Sequence, residues 1–119
     1  VLRAIDHVQL AMPPGEEDRA REFYVGLLGL SEVPKPPNLA VRGGCWFEAP
    51  GVTVHLGVEQ DFRPARKAHV AFRVDTVRAL ADAARQAGYE VVDDEPLEGF
   101  DRVYIYDGFG NRLEMMQPR

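Results

Sequence analysis

The chain repeats itself, and the repeat fixes what it can fold into. Phe47-Glu48-Ala49-Pro50-Gly51-Val52-Thr53-Val54-His55-Leu56 lies over Tyr106-Asp107-Gly108-Phe109-Gly110-Asn111-Arg112-Leu113-Glu114-Met115 without a gap, at an offset of 59 residues. Gly29 falls on Gly88 at the same offset, and Asp6-His7-Val8-Gln9-Leu10 matches Ala68-His69-Val70-Ala71-Phe72 at an offset of 62. The surplus in the first half is expected in the loop Pro13-Pro14-Gly15. Self-similarity at such a period means one supersecondary unit used twice. A chain of 119 residues, 45% hydrophobic, holds one small core and not two independent ones, so the repeats must share their stability. The organisation expected is a single domain over 1–119, with a first module of about 1–58, a connection over 59–67 and a second module of about 68–119.

The same order of elements is read in each half. Val8, Leu10 and Met12 alternate with His7, Gln9 and Ala11, the two-residue period of a strand. Behind the acidic turn Glu16-Glu17-Asp18, the residues Ala20, Phe23, Tyr24, Leu27 and Leu28 form a helical stripe that Gly29 ends. Short strands follow from Ser31 to Val33, from Leu39 to Arg42, from Cys45 to Phe47 and from Val52 to Val58, with Pro34-Lys35-Pro36-Pro37-Asn38 as a loop among them. In the second half Val70, Phe72 and Val74 take the core face of a strand, with His69, Ala71 and Arg73 opposite. A helix capped by Asp75 or Thr76 carries Val77, Leu80, Ala81 and Ala84 inward and ends at Gly88. Glu90 to Asp93, Val103 to Tyr106 and Arg112 to Met116 complete an α+β pair of βαβββ modules. The turn Asp107-Gly108-Phe109-Gly110-Asn111 is rich in residues that tolerate positive φ.

Parity along the strands sorts the polar residues. Val54, Leu56, Leu113 and Met115 suit the face beneath the helices, which leaves His55 and Glu114 on the other face with His7 and His69. A curved sheet in each module would make that face the inside of a cleft. Imidazole nitrogens and a carboxylate oxygen are ligands of zinc and of nickel, manganese, cobalt or iron, and donors spread over several strands leave a coordination position open. A lone histidine on a strand is more often a satisfied polar residue than a ligand. Three histidines and a glutamate at matched positions favour one divalent metal ion per site, held by His7, His55, His69 and Glu114.

Asp6-His7-Val8-Gln9-Leu10, Phe23-Tyr24 with Leu28-Gly29-Leu30, His69-Val70-Ala71-Phe72-Arg73-Val74 and the run from Tyr106 to Glu114 resemble the vicinal oxygen chelate superfamily. That group includes glyoxalase I, methylmalonyl-CoA epimerase, extradiol dioxygenases, fosfomycin-resistance enzymes and bleomycin-resistance proteins. The resemblance implies modules related by pseudo-twofold symmetry, a cupped mixed sheet, a homodimer, and metal ligands on the first and last strands of each module. Those places fall on His7, His55, His69 and Glu114. Activity does not follow from fold. Glyoxalase I typically has a glutamate where this chain has His55, so Glu114 is the sole acidic ligand and a candidate base. The dioxygenase pattern has a histidine ahead of its Tyr-x-x-Asp-Pro element. This chain has Tyr104-Ile105-Tyr106-Asp107, Gly108 in place of proline, and no histidine beyond His69.

The expectation is a metal-dependent glyoxalase-like lyase or isomerase acting on a small molecule that chelates the metal through adjacent oxygens. The alternatives are an extradiol-type dioxygenase with ferrous iron and a non-catalytic binding or resistance protein. Tyr104 or Tyr106 is a candidate hydrogen-bond donor to a metal-bound oxygen, and Arg73, Arg102 and Arg112 are candidate holders of an anionic substrate. Trp46 and Phe47 read as wall or core. A net charge of −5 with the signs interspersed argues against a nucleic-acid partner, and the absence of a long apolar run against a membrane one. The lone Cys45 and the lack of a leader point to a cytoplasmic protein.

Overall fold

Each half of the chain builds a four-stranded mixed sheet with the same strand order. The computed structural model describes all residues from Val1 to Arg119 and divides them into Val1–Arg63 and Pro64–Arg119. The division falls inside the expected connection.

In the first unit the elements are β1 (Val8–Met12), α1 (Glu17–Arg21), a π-helical turn (Glu22–Leu27), β2 (Ser31–Val33), α2 (Pro37–Ala40), β3 (Cys45–Ala49) and β4 (Val52–Val58). The second holds β5 (Val70–Arg73), α3 (Val77–Gln86), β6 (Val91–Asp93), β7 (Phe100–Tyr106) and β8 (Arg112–Pro118). The sheets run β1-β4-β3-β2 and β5-β8-β7-β6. The first pair of each sheet is parallel and the others antiparallel.

The sequence offsets reappear as hydrogen-bond register. Val8 pairs with Val54 and Gln9 with His55; Val70 pairs with Leu113 and Ala71 with Glu114. Moving β1 by 62 residues and β4 by 59 converts one ladder into the other. The equivalence extends inward, because Trp46 opposes His55 as Tyr104 opposes Glu114. A one-residue slip would send every core side chain to the wrong face, so shared register means shared burial.

Burial follows that parity. Met12, Phe47, Val54 and Leu56 are buried with Ala20, Phe23 and Tyr24 in the first unit, and Val103, Ile105, Leu113 and Met115 with Val77, Ala81 and Ala84 in the second. Each large aliphatic side chain among them contributes about 1.5–3 kcal/mol through removal from water. The Tyr24 ring stacks on Phe47 at 5.5 Å and meets Phe23 edge to face at 4.9 Å.

Three expectations are corrected. The helix over Ala20 to Leu28 leaves the α form after Arg21, and Leu28 N–H bonds to Phe23 C=O at 3.0 Å in the wider π register. The widened turn takes up extra chain within the first module, and Phe23 and Tyr24 on it are both buried. Leu39 to Arg42 is not a strand, since Pro37 at the first helical position starts α2, and Leu39 and Ala40 N–H both bond to Pro36 C=O at 2.9 Å. His7 and His69 stand one residue ahead of β1 and β5 rather than within them.

Two local devices position the face of interest. Asp107 is buried, and one of its oxygens accepts the N–H groups of Phe109 and Asn111, each at 2.9 Å, while the other accepts Asn111 Nδ2 at 2.9 Å. This closed turn sets where β8 begins, and with it the direction of Arg112 and Glu114. Gly44 has φ +84° and lies so near β4 that an added Cβ would sit 2.2 Å from the Leu56 carbonyl oxygen. Thr76 precedes α3 without a side-chain cap; Gln117 Oε1 on β8 accepts the Val77 N–H at 2.9 Å instead. No helix is long and apolar enough to cross a membrane.

Candidate metal and substrate site

The four candidate ligands occur as two pairs, one in each unit. In the first, His7 stacks on His55 with ring centroids 4.1 Å apart, and Trp46 stacks on the opposite face of His55 at 4.1 Å and 4°. His55 is buried, and burial, then the neighbouring His7, hold its pKa below the ordinary histidine value. His7 is more open, with Nδ1 2.8 Å from Asp6 Oδ1. Trp46, opposite His55 in the ladder and stacked on its ring, thus stands as a wall on the face of the candidate ligands.

In the second unit His69 Nε2 lies 3.0 Å from Glu114 Oε1, and His69 Nδ1 lies 2.9 Å from the Lys67 carbonyl oxygen. Arg102 donates to Glu114 Oε2 at 3.2 Å, pairs with Asp94 at 3.1 Å and donates to the Glu95 carbonyl at 2.6 Å. Glu114 is buried with both oxygens engaged. Arg102 Nε is buried without a partner. A carboxylate taken from water needs such a cation, and Arg102 is it.

The tyrosines have different duties. Tyr104 opposes Glu114 in the ladder, meets His69 edge to face at 5.3 Å and donates its hydroxyl to Asp94. That bond, then burial, raises the Tyr104 pKa, while the Glu95 backbone N–H, then Tyr104, lower that of Asp94. Tyr106 hydroxyl accepts Arg112 Nε–H at 3.0 Å and keeps its own proton for donation. Arg112 also lies over the Tyr104 ring at 4.7 Å and the Tyr106 ring at 5.7 Å. Arg73 is exposed, 5.8 Å above the Phe100 ring.

Sequence reasoning missed Asp6 and Asp94. Asp6 carried a signal, being adjacent to a candidate ligand. Asp94 sits in an acidic run that reads as a solvated loop, and only its contact with Arg102 distinguishes it. No group of three or more His, Cys, Asp or Glu side chains is arranged to hold a metal ion. The pairs do fit the donor chemistry of one, because His7 and His69 each engage Nδ1 with an oxygen atom, and His69 brings Nε2 to 3.0 Å from Glu114 Oε1. A metal-binding histidine is oriented in that manner by its far ring nitrogen.

Two mixed βαβββ-type sheets with matched polar pairs define the glyoxalase-type fold. The model of the Glyoxalase/Bleomycin resistance protein/Dioxygenase superfamily matches residues 4–115, and the chain belongs to that family, within the vicinal oxygen chelate group. Among solved structures it is similar to a protein assigned to the glyoxalase family from Bacillus anthracis, with 44% identity, TM-score 0.93, and coverage of 100% of this chain and 98% of that one. The fosfomycin resistance protein FosX from Listeria monocytogenes shares the fold at 15% identity and TM-score 0.80, covering 100% and 96%. The antibiotic binding protein TnmS3 from Streptomyces sp. CB03234 shares it at 23% identity and TM-score 0.69, covering 99% and 100%. None of the curated proteins matches the sequence significantly.

Proposed function

We propose that the protein is a metal-dependent, glyoxalase-like lyase or isomerase whose substrate presents adjacent oxygens. The carrying observation is the approach of His69 Nε2 to Glu114 Oε1 at 3.0 Å while His69 Nδ1 is committed to the Lys67 carbonyl. A carbonyl only accepts, so Nδ1 bears a proton, and a singly protonated ring then turns its Nε2 lone pair toward a carboxylate oxygen. Two acceptors at that separation require a cation between or beside them, either a second proton or a metal ion. His7 shares one part of it, its Nδ1 standing 2.8 Å from Asp6 Oδ1. The ligands proposed are His69 and Glu114 in the second unit and the matched pair His7 and His55 in the first.

Zinc, nickel, manganese, cobalt and iron all suit this donor set. A bound divalent ion would supply Lewis acidity toward a substrate carbonyl and its neighbouring oxygen. Glu114 is the proposed base for the adjacent carbon acid. Since both of its oxygens are engaged, it must release His69 or Arg102 to take a proton. Tyr106 can donate to a developing oxyanion, whereas the hydroxyl of Tyr104 is spent on Asp94.

The test is the elemental content of protein purified after metal-replete expression, beside His69→Ala. Near-stoichiometric metal in the parent and its loss in the variant are expected; equal content in both would remove the assignment. A parent free of metal would favour the binding-protein alternative. We further propose a homodimer, as superfamily members often form, which sedimentation with and without chelator measures. A monomer at all concentrations would refute it.

A further inference from the structure

Three arginines share the non-core face of the second unit, and their situations differ. Arg102 is consumed by Glu114, Asp94 and the Glu95 carbonyl. Arg73 is exposed and held only by the Phe100 ring. Arg112 is half-buried and fixed at three points: Nε–H on Tyr106 hydroxyl at 3.0 Å, and its guanidinium over Tyr104 at 4.7 Å and Tyr106 at 5.7 Å. Its two terminal nitrogens make no hydrogen bond to protein and no ion pair. The carboxylates nearby are already engaged, Glu114 by His69 and Arg102, and Asp94 by Arg102 and Tyr104.

We infer that Arg112 is an anion anchor, and that the ligand of this face is a small organic acid whose carboxylate or phosphonate-class oxyanion sits on the two terminal nitrogens of Arg112. A guanidinium presents those nitrogens as a planar fork that matches two oxygens of such a group. Here the fork is set before the ligand arrives, so little side-chain freedom remains to be lost on binding. Arg112 and Glu114 are two residues apart on one face of β8, about 7 Å along the strand. The oxyanion therefore lies about that distance from the substrate atoms that meet Glu114. Tyr104 and Tyr106 add ring surface between them, which favours a planar or apolar linker. The inference rests on reading this face as the ligand face, and it deepens that reading by naming the charge the substrate must carry.

The probes are benzoate and phenylphosphonate, with benzamide as the neutral counterpart, titrated calorimetrically and by the 15N-edited NMR signal of the Arg112 Nε–H. Both anions should bind the parent, shift that signal, and weaken with added salt. Arg112→Gln should lose at least tenfold in affinity, Arg112→Lys should retain part of it, and Arg85→Gln, an equal charge change on α3, should change nothing. Benzamide binding as tightly as benzoate, an unmoved Arg112 signal in the parent, no anion binding at millimolar concentration, or unchanged affinity in Arg112→Gln would each overturn the proposal. The NMR signal reads the parent, so it decides even where a variant fails to fold. Repeating the titration with chelator separates the readings: anion binding that persists in protein shown to take up no metal leaves the anchor standing and removes the metal.

Discussion

Gly44→Ala should be among the most damaging single-methyl additions in this chain, and Gly51→Ala supplies its internal reference. Both glycines have left-handed backbone, with φ +84° and +77°, but nothing lies within 4 Å of a Cβ at Gly51, whereas one at Gly44 meets the Leu56 carbonyl oxygen at 2.2 Å. The backbone term is common to the two, about 1–2 kcal/mol for an L-residue in that region. At Gly44 the collision adds to it. The oxygen belongs to β4 beside the Cys45–Leu56 pair, so relief needs the two strands to part by roughly 1 Å. Losing a ladder hydrogen bond there costs about 0.5–1.5 kcal/mol, and the buried Cys45 and Leu56 lose contact as well. The expected total is about 3–4 kcal/mol for Gly44→Ala against about 1–2 kcal/mol for Gly51→Ala. Urea unfolding with slopes held in common measures both. Equal losses in the two variants would refute the claim that close approach, rather than backbone angle, demands glycine at Gly44.

Stability should depend on His55 as pH falls. Its folded pKa lies below the ordinary value of about 6.5, so through that range the unfolded chain takes up a proton that the folded chain refuses. Stability is complete above that range, declines as pH drops through it, and levels once the folded pKa is passed; His55→Gln should flatten this slope, and an unchanged slope in the urea midpoint would count against burial as its cause. Arg102→Met should lower the unfolding midpoint by stranding the buried Glu114 carboxylate, and adding Glu114→Gln should recover part of the loss. If Glu114→Gln harms parent and Arg102→Met alike, the ion pair contributes nothing.

Register was the most legible property of the sequence. Offsets of 62 and 59 read from aligned residues reappear in the ladders that pair Val8 with Val54 and Val70 with Leu113, because a strand's face is set by parity and parity survives duplication. Secondary structure without periodicity was less legible. Four residues starting at Pro37 cannot display a helical repeat, and a π turn differs from an α turn only in which carbonyl each N–H chooses. The pairing of His69 with Glu114 followed from face and strand order. That Arg102 would be consumed while Arg112 kept free donors did not, since it depends on where Asp94 and Glu95 of an intervening loop come to rest.

The close approach at Gly44 also separates the two halves of the duplication in what can accompany a negative charge. By register Gly44 holds in the first sheet the place that Arg102 holds in the second, just as His55 answers to Glu114 and Trp46 to Tyr104. Space beside the Leu56 carbonyl admits no side chain there, so position 44 cannot set a guanidinium beside residue 55 as Arg102 is set beside Glu114. A glutamate at that position would lie against Trp46 without a counter-ion from its neighbouring strand. The two copies began with one blueprint and are no longer interchangeable: a backbone contact denies the first the strand-borne guanidinium that accompanies the acid of the second.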